Sequence, residues 1–265
     1  MFRLALFLLY TVALAVEEAT QEGNAKETLR HSFFNILARR LTKNIELASS
    51  KKLPSDFDWR KQGVITAVKN QSKLEVPDVF AVVGAIESAW SIQTGKLYTL
   101  SEQEVIDCSS KSDRPLHPGE TFERVSRIGG LALNSSYPYT AEQQECKLNA
   151  SQIAVTIDGY IRLHNEDTMA RYLMKQGPIV VTLDGKNFLN TYTKGIITLN
   201  DTECSTKEYN HVALIVGFGT DQGVTYWILK NSFGERWGEA GFFRVQRGKN
   251  TCGIANNAFA PYFYI

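Results

Sequence analysis

The stretch that decides the fold runs from residue 53 to residue 90 and reads LPSDFDWRKQGVITAVKNQSKLEVPDVFAVVGAIESAW. Two helix starts compete after Gln71. Ser72 and Glu75 have capping-box spacing, but a start there would place Pro77 in the second turn, where the helix needs the N–H that proline lacks. A start near Val76 places Pro77 in the first turn, where no helical hydrogen bond depends on that N–H. We therefore predict a helix that begins close to Pro77.

The two halves of the chain differ in their hydrophobic pattern. The first half contains this helix, whose core positions at helical spacing are Val79, Phe80, Val83, Ile86 and Trp90. The second half contains apolar, β-branched and aromatic runs at residues 179–183, 212–216, 225–229 and 241–245. These runs predict strands of an antiparallel sheet or barrel. Helices first and strands second predict an α+β protein with two lobes.

The composition limits the classes of partner. With 265 residues, 43% of them hydrophobic, the chain can bury a large core. Its 29 basic and 28 acidic residues nearly cancel, so we expect neither a nucleic-acid nor a membrane-surface partner. None of the cysteines forms a CxxC pair, so no metal site is expected. Gly217, Gly219 and Gly223 miss the dinucleotide-binding spacing and are interpreted as turn glycines, so no cofactor is expected. With no oligomerisation signal, we expect a monomer.

The N-terminus has the features of a signal peptide, which we assign to residues 1–15. Arg3 precedes an apolar run at residues 4–14, and Ala13 and Ala15 supply small residues for cleavage. The run is short for a bilayer span, so a retained anchor is the less favoured alternative. A cleaved signal would direct the chain through the secretory pathway to the lysosome or the extracellular space, free of the membrane. Sequons at Asn134, Asn149 and Asn200 fit that route, and the cysteines should pair there.

Eight specific motifs span residues 53–261. They are FDWR at residue 57, VKNQ at 68, GAIES at 84, LSEQEVIDC at 100, YPY at 137, NHVALIVGFG at 210, KNSFGERWGEAGFFRVQRG at 230 and CGIA at 252. As a set they resemble the motifs of papain-family cysteine peptidases, and within that family they are most similar to the cathepsin O group. The resemblance implies a helical lobe at residues 62–160 and an antiparallel β-barrel lobe at residues 161–260, with a cleft between them. This domain, residues 53–265, would follow a short remnant prosegment at residues 16–52.

The resemblance also implies roles for single residues. A peptidase of this family needs a thiolate at a helix N-terminus, where the helix dipole lowers the thiol pKa. It needs a histidine as general base and acid, and an asparagine that orients the imidazole. Its oxyanion hole combines a glutamine side chain with the backbone N–H of the nucleophile. His211, Asn231 and Gln71 match the histidine, the asparagine and the glutamine. The nucleophile position is occupied by Pro77.

The substitution at position 77 removes two parts of the machinery at once. Pro77 has neither a nucleophilic side chain nor a backbone N–H for the oxyanion hole. Loss of one oxyanion donor costs a factor of about 10²–10³ in rate, and loss of the nucleophile costs about 10⁶ in the serine analogue. Asp78 replaces the tryptophan that follows the nucleophile, and we expect its charge to lie beside any developing oxyanion. Phe233 replaces the tryptophan that shields the His–Asn pair, whereas Trp237 matches the family's next tryptophan.

A second difference from the family concerns a disulfide. Leu74 and Leu116 stand where the family joins two cysteines. The four cysteines then match the two other family bridges, Cys108–Cys146 and Cys204–Cys252, each expected to contribute roughly 3–4 kcal/mol through loop closure. The short prosegment fits a chain with no activity to restrain, and it also fits a misassembled gene.

Three classes of function follow. The first is a catalytically inactive homologue that binds a peptide or protein in the inter-lobe cleft, with His211, Asn231 and Gln71 kept for structural reasons. The second is an active cathepsin O-like endopeptidase whose sequence is defective around residues 72–78. The third is an inhibitor or chaperone-like partner of related peptidases.

A fourth sequon, Asn70-Gln71-Ser72, lies beside the expected cleft. A sugar there would obstruct the cleft, unless the segment is too buried to be modified.

Overall fold

The computed structural model describes residues 52–109, 117–200 and 202–263. The predicted signal peptide, nearly all of the predicted prosegment, and Leu116 lie outside the described residues. In this part of the chain, no helix is both long enough and apolar enough to cross a bilayer.

In the described residues, four α-helices precede or flank the main strands. They are α1 (Pro77–Thr94), α2 (Glu102–Cys108), α3 (Pro118–Ile128) and α4 (Glu166–Gln176). Helix α1 has Pro77 in its first turn, which confirms the later of the two predicted starts. It ends at Gly95, whose positive φ of 73° lets its N–H reach the carbonyl of Ser91. Most of the side chains of α1 are buried, so this helix forms the centre of the core rather than a surface element.

The strands follow mainly after residue 150. They are β1 (Phe57–Asp58), β2 (Leu131–Ala132), β3 (Ile153–Val155), β4 (Gly159–Leu163), β5 (Ile179–Leu183), β6 (Ile196–Ile197), β7 (His211–Asp221), β8 (Val224–Lys230), β9 (Phe242–Gln246) and β10 (Ala258–Tyr262). The first three predicted runs fall within β5, β7 and β8, and the fourth overlaps β9, which begins one residue later than predicted, so the four strands are confirmed. The α+β class is confirmed with them.

Most of these strands form one sheet with the order β4-β10-β5-β7-β8-β9-β6, and β1 pairs with β7. Among the described strands, only β6 and β9 pair in parallel, and the other pairs are antiparallel. Helix α1 packs against β7 and α3. Gly84 permits the close approach to β7, because a Cβ there would lie 3.2 Å from Leu214. The long strand β7 is therefore positioned against the helix that begins at Pro77.

The interpretation of three glycines as turn residues is wrong for two of them. Gly223 does lie in the turn between β7 and β8, with φ of 82°. Gly217 and Gly219 instead lie inside β7. A Cβ at Gly217 would come 2.6 Å from the carbonyl oxygen of Phe57. Glycine at position 217 therefore permits β1 to pair closely with β7.

Both disulfides join the cysteines that the family resemblance pairs. Cys108 is bonded to Cys146, with a sequence separation of 38, and Cys204 to Cys252, with a separation of 48. The first bridge attaches the end of α2 to the segment before β3, and the second attaches the segment after β6 to the segment before β10.

Candidate functional site

Pro77 occupies the first turn of α1 and is buried. The residue before it, Val76, has an extended φ of −129°, and its carbonyl accepts the N–H of Val79 at 3.1 Å. This is the arrangement in which the missing N–H of proline leaves no helical hydrogen bond unmade. The position that would carry a nucleophile and an oxyanion donor thus carries neither group.

Asp78 forms a hydrogen bond between helices α1 and α3. Its side chain is buried, and the hydroxyl of Thr121 in α3 donates to Asp78 Oδ2 at 2.5 Å. Burial raises the pKa of Asp78, while the Thr121 hydrogen bond and the attraction of Arg124 act in the opposite direction. The carboxyl is directed to α3. Our expectation that its charge would lie beside a developing oxyanion is therefore wrong.

His211 and Asn231 come together because neighbouring strands carry them. His211 begins β7, and Asn231 follows directly after β8, which pairs with β7. His211 Nε2 lies 2.9 Å from Asn231 Oδ1, and both side chains are buried. The ring of Phe233 lies 5.3 Å from the imidazole, and the ring of Trp237 lies 5.5 Å from that of Phe233. Phe233 thus covers the imidazole on one side, and Trp237 packs against Phe233.

The environment of His211 keeps the imidazole neutral. Burial lowers its pKa to about 4, and the hydrogen bond to Asn231 only partly offsets this effect. An imidazole without a thiolate partner has no opposite charge to stabilise its protonated form. At pH 5 to 8 His211 is therefore a neutral hydrogen-bonding group.

Gln71 is held by hydrogen bonds at both its backbone and its side chain. Its N–H donates to the carbonyl of Ser232 at 2.8 Å, and the hydroxyl of Tyr139 donates to its carbonyl at 2.7 Å. The Ser232 hydroxyl donates to Gln71 Oε1. Gln71 Nε2 donates to the carbonyl of Leu74 at 2.7 Å, which uses one of its two N–H bonds. The amide is thus fixed by the segment before α1 and by the residue that follows Asn231.

The structure brings the predicted catalytic positions into one region. Pro77, Asn231 and Ser232 line a common cavity of about 20 Å³. Ser232 connects this group to Gln71, and Asn231 connects it to His211.

The predicted glycosylation positions lie elsewhere in the sequence and are accessible: Asn149 and Asn200 are exposed, and Asn134 is partly exposed. Among the described residues, no cluster of three or more His, Cys, Asp or Glu side chains could hold a metal ion.

A buried charged cluster borders the same cavity, and sequence reasoning missed it. Lys69 Nζ donates to Glu87 Oε1 at 2.8 Å and to Glu102 Oε1 at 2.5 Å, and Lys230 Nζ donates to the hydroxyl of Thr66 at 2.9 Å. Thr66 in turn donates to Glu87 Oε2 at 2.5 Å. The available signal was a charged residue inside an apolar run, as Glu87 is in VVGAIESAW.

Burial controls the titration of this cluster. It lowers the pKa of Lys230 to about 8, although the attraction of Glu87 acts against that shift. It raises the pKa of Glu102 to about 7, against the attraction of Lys69. Burial also lowers the pKa of Lys69, but the attraction of Glu102 and Glu87 outweighs it, so that pKa is raised. The cluster also connects three elements: Glu87 lies in α1, Glu102 in α2, and Lys230 ends β8 directly before Asn231.

A further buried carboxyl, that of Glu104, is expected to make the fold more stable at pH 5 than at pH 8. Glu104 Oε2 accepts the N–H of Ala132 at 2.6 Å, Oε1 has no partner within the described chain, and burial raises its pKa to about 7. A carboxyl with a raised folded-state pKa stabilises the fold below its unfolded pKa of about 4.5 and loses that contribution as the pH rises through 7. We expect Glu104 to lower the free energy of unfolding at pH 8 by on the order of 2 kcal/mol relative to pH 5.

Urea unfolding of Glu104→Gln at both pH values checks this prediction. The difference in stability between pH 5 and pH 8 should shrink relative to the unmodified protein. The control Glu145→Gln, at an exposed position, should leave the difference unchanged. His211, with its lowered pKa, acts in the opposite direction below pH 6.5, but it is present in all three proteins and cancels. An unaltered pH dependence in Glu104→Gln would contradict the assignment.

Comparison with known proteins gives one consistent result. The family described as "Papain family cysteine protease" matches residues 53–262. Cathepsin F of Drosophila melanogaster is 36% identical over 218 residues, covering 78% of this chain and 35% of that protein. P34 probable thiol protease of Glycine max is 42% identical over 223 residues, covering 79% of this chain and 58% of that protein. The chain thus spans less than two thirds of the length of these curated relatives.

Solved structures agree with the sequence comparison. Bromelain protease from Ananas comosus, solved in complex with the E64 inhibitor, has a TM-score of 0.73 and 36% identity and covers 80% of this chain and 100% of that chain. Digestive procathepsin L 3 of the Tenebrio molitor larval midgut has a TM-score of 0.74 and 35% identity, with 81% of this chain and 71% of that chain covered.

Proposed function

The chain belongs to the papain family of cysteine proteases, and from that premise we propose that it is a non-catalytic member that binds a peptide or protein in the cleft between its lobes. The observation that carries the proposal is Pro77 in the first turn of α1, where catalysis would need a thiolate and an N–H. The neutral state of His211 supports it, because the catalytic pair would require a charged imidazole. The residues that remain can orient a ligand but cannot attack an amide.

The segment around Pro77 also argues against a defective sequence. Leu74 is partly buried against the hydrophobic core, and its carbonyl accepts the Gln71 amide. Asp78 finds a buried partner in Thr121. A segment placed there by error would have no reason to satisfy its polar groups and bury its apolar ones. The alternative, an active cathepsin O-like endopeptidase, therefore ranks second, and transcript sequencing across residues 71–80 that found a Cys-Trp pair would restore it.

The proposal includes the destination of the chain. The predicted signal at residues 1–15 and the sequons at Asn134, Asn149 and Asn200 favour a secreted or lysosomal glycoprotein. The ligand would be a peptide or an extended protein segment, because a cleft beside Phe233 and Trp237 offers apolar contacts and hydrogen-bonding groups. Neither nucleic acid nor a lipid surface fits the balanced charge.

We expect the purified full-length protein to show no peptidase activity. It should not hydrolyse fluorogenic peptides at pH 5 or pH 7, and intact-mass spectrometry after incubation with E64 should show no adduct. Bromelain, treated in parallel, is the positive control for both assays. Stoichiometric labelling, or turnover that E64 abolishes, would overturn the proposal.

The binding half of the proposal needs its own measurement. Peptides selected from a phage-displayed library on the immobilised protein should bind the free protein in solution. Phe233→Lys, which replaces one ring of the partly exposed aromatic pair by a charged side chain beside Trp237, should weaken that binding at least tenfold. The matched control Lys96→Glu, at an exposed position after the end of α1, should leave it unchanged. Equal losses in both variants, or no selection at all, would contradict binding in the cleft.

A further inference from the structure

The fourth sequon, Asn70-Gln71-Ser72, is accessible at the asparagine that would carry the sugar. Asn70 and Ser72 are both exposed, while Gln71 between them is buried. The segment is therefore not too buried to carry a sugar, which answers the question that the sequence left open. An exposed asparagine also allows the folded chain to accommodate a glycan that was attached before folding.

The two polar atoms of the Asn70 side chain differ in their hydrogen bonding. Its Oδ1 accepts the N–H of Ser72 at 2.8 Å, which fixes the orientation of the amide. Within the described part of the chain, Asn70 Nδ2 makes no hydrogen bond. A substituent on this nitrogen would therefore replace a hydrogen atom without removing any interaction of the fold.

The neighbours of Asn70 place that nitrogen at the site. The Asn70 backbone pairs with that of Phe233 in an isolated antiparallel bridge. A Cβ built on Gly234 would lie 3.6 Å from Asn70 Nδ2, so the amide stands directly beside this glycine. Phe233 covers His211, and both Phe233 and Trp237 are partly exposed. A sugar on Asn70 would begin next to this aromatic surface.

We propose that Asn70 carries an N-linked glycan that covers the Phe233 side of the site. In the transfer, Asn70 Nδ2 forms a bond to the anomeric carbon of a lipid-linked oligosaccharide, the bond from that carbon to the lipid pyrophosphate breaks, and one amide proton is released. A glycan here would obstruct a working peptidase, whereas a chain with Pro77 has no turnover to lose. The inference rests on the secretory route of the proposed function.

Glycan mapping tests the proposal on the native chain secreted from a eukaryotic cell line. Peptide N-glycosidase in H₂¹⁸O converts each modified asparagine into ¹⁸O-labelled aspartate, which mass spectrometry of proteolytic fragments locates. We expect labelling at Asn70 in most of the protein, and its loss from Asn70 alone in Ser72→Ala and in Asn70→Gln. Label at Asn149 and Asn200 but not at Asn70 would overturn this inference and leave the proposed function intact. Label at no sequon would overturn both the inference and the secretory route.

A second readout tests whether the sugar covers the site. The peptides selected for cleft binding should bind Ser72→Ala and Asn70→Gln about threefold to tenfold more tightly than the glycosylated protein. Protein made in a host without N-glycosylation should bind them as the two variants do. Equal affinity for glycosylated and unglycosylated protein would show that the glycan does not cover the Phe233 side.

Discussion

Replacing Pro77 with cysteine is expected to convert a chain that we propose to be inactive as a peptidase into one that reacts covalently with E64. The substitution supplies a thiol and restores a backbone N–H in the first turn of α1, where the helix dipole lowers a thiol pKa. Gln71 is hydrogen-bonded to Leu74 in the segment before that turn, and Asn231, which lines the same cavity as Pro77, is hydrogen-bonded to His211. A thiolate beside His211 should also raise the imidazole pKa above its value of about 4.

The measurement combines labelling, turnover and titration. Pro77→Cys should take up one E64 per chain and hydrolyse fluorogenic peptides at least 10²-fold above the unmodified protein, yet about 10²-fold or more below bromelain, because Phe233 and the altered segment before α1 remain. NMR titration should show the pKa rise at His211. Pro77→Ala, which restores the N–H without a thiol, is the matched control and should remain inactive. Bromelain-like turnover would show that the surroundings matter less than we infer, and no labelling of a folded variant would contradict the site geometry.

The double variant Pro77→Cys with Asp78→Trp should be no better. It reproduces the family's residue pair, but the tryptophan would have to fit where the Asp78 carboxyl is buried against Thr121. The Thr121 hydroxyl would lose its acceptor, and overpacking between α1 and α3 costs about 1–3 kcal/mol. We expect at most weak activity and a lower melting temperature than that of Pro77→Cys.

Removing the Glu87 carboxylate is expected to destabilise the fold by about 3–5 kcal/mol, a large part of the total stability of a domain. Glu87 is fully buried and accepts hydrogen bonds from Thr66, Lys69 and the N–H of Leu100. Glu87→Ala leaves the Thr66 hydroxyl and the Leu100 N–H without this acceptor and removes one of the two carboxylate partners of Lys69. It also leaves Lys230 buried without the attraction of Glu87. The pKa of Lys230 should then fall below its value of about 8.

Denaturant unfolding at pH 7 measures the effect. Glu87→Gln keeps the shape of the side chain and an acceptor for Leu100, so it should lose less stability than Glu87→Ala and remains measurable if the alanine variant does not fold. Glu142→Ala is the matched control, since its ion pair with Lys73 spans 3.9 Å and is largely exposed. It should change stability by less than about 0.5 kcal/mol. A change below about 1 kcal/mol in Glu87→Ala would contradict the structural role of the cluster.

Local patterns in the sequence were enough to locate several elements. Helix α1 begins at Pro77 because a residue without an N–H fits only the first turn, which is a property of the residue itself. The strands β5, β7, β8 and β9 follow from runs of β-branched and aromatic residues. Gly217 shows the limit of such reasoning. It looked like a turn residue, yet it lies inside β7, where the close approach of β1, far away in the chain, leaves no room for a side chain.

By itself, the sequence determined the α+β class and the family and predicted that α1 begins at Pro77, because these depend on which residue stands at a given position in the chain. Only the tertiary structure decided where charges and side chains point. It directs Asp78 toward α3, gathers Lys69, Glu87, Glu102 and Lys230 into one buried cluster, and exposes Asn70 beside Phe233. The physical reason is that burial, pKa and accessibility arise from contacts between segments distant in sequence, and no local pattern encodes those contacts.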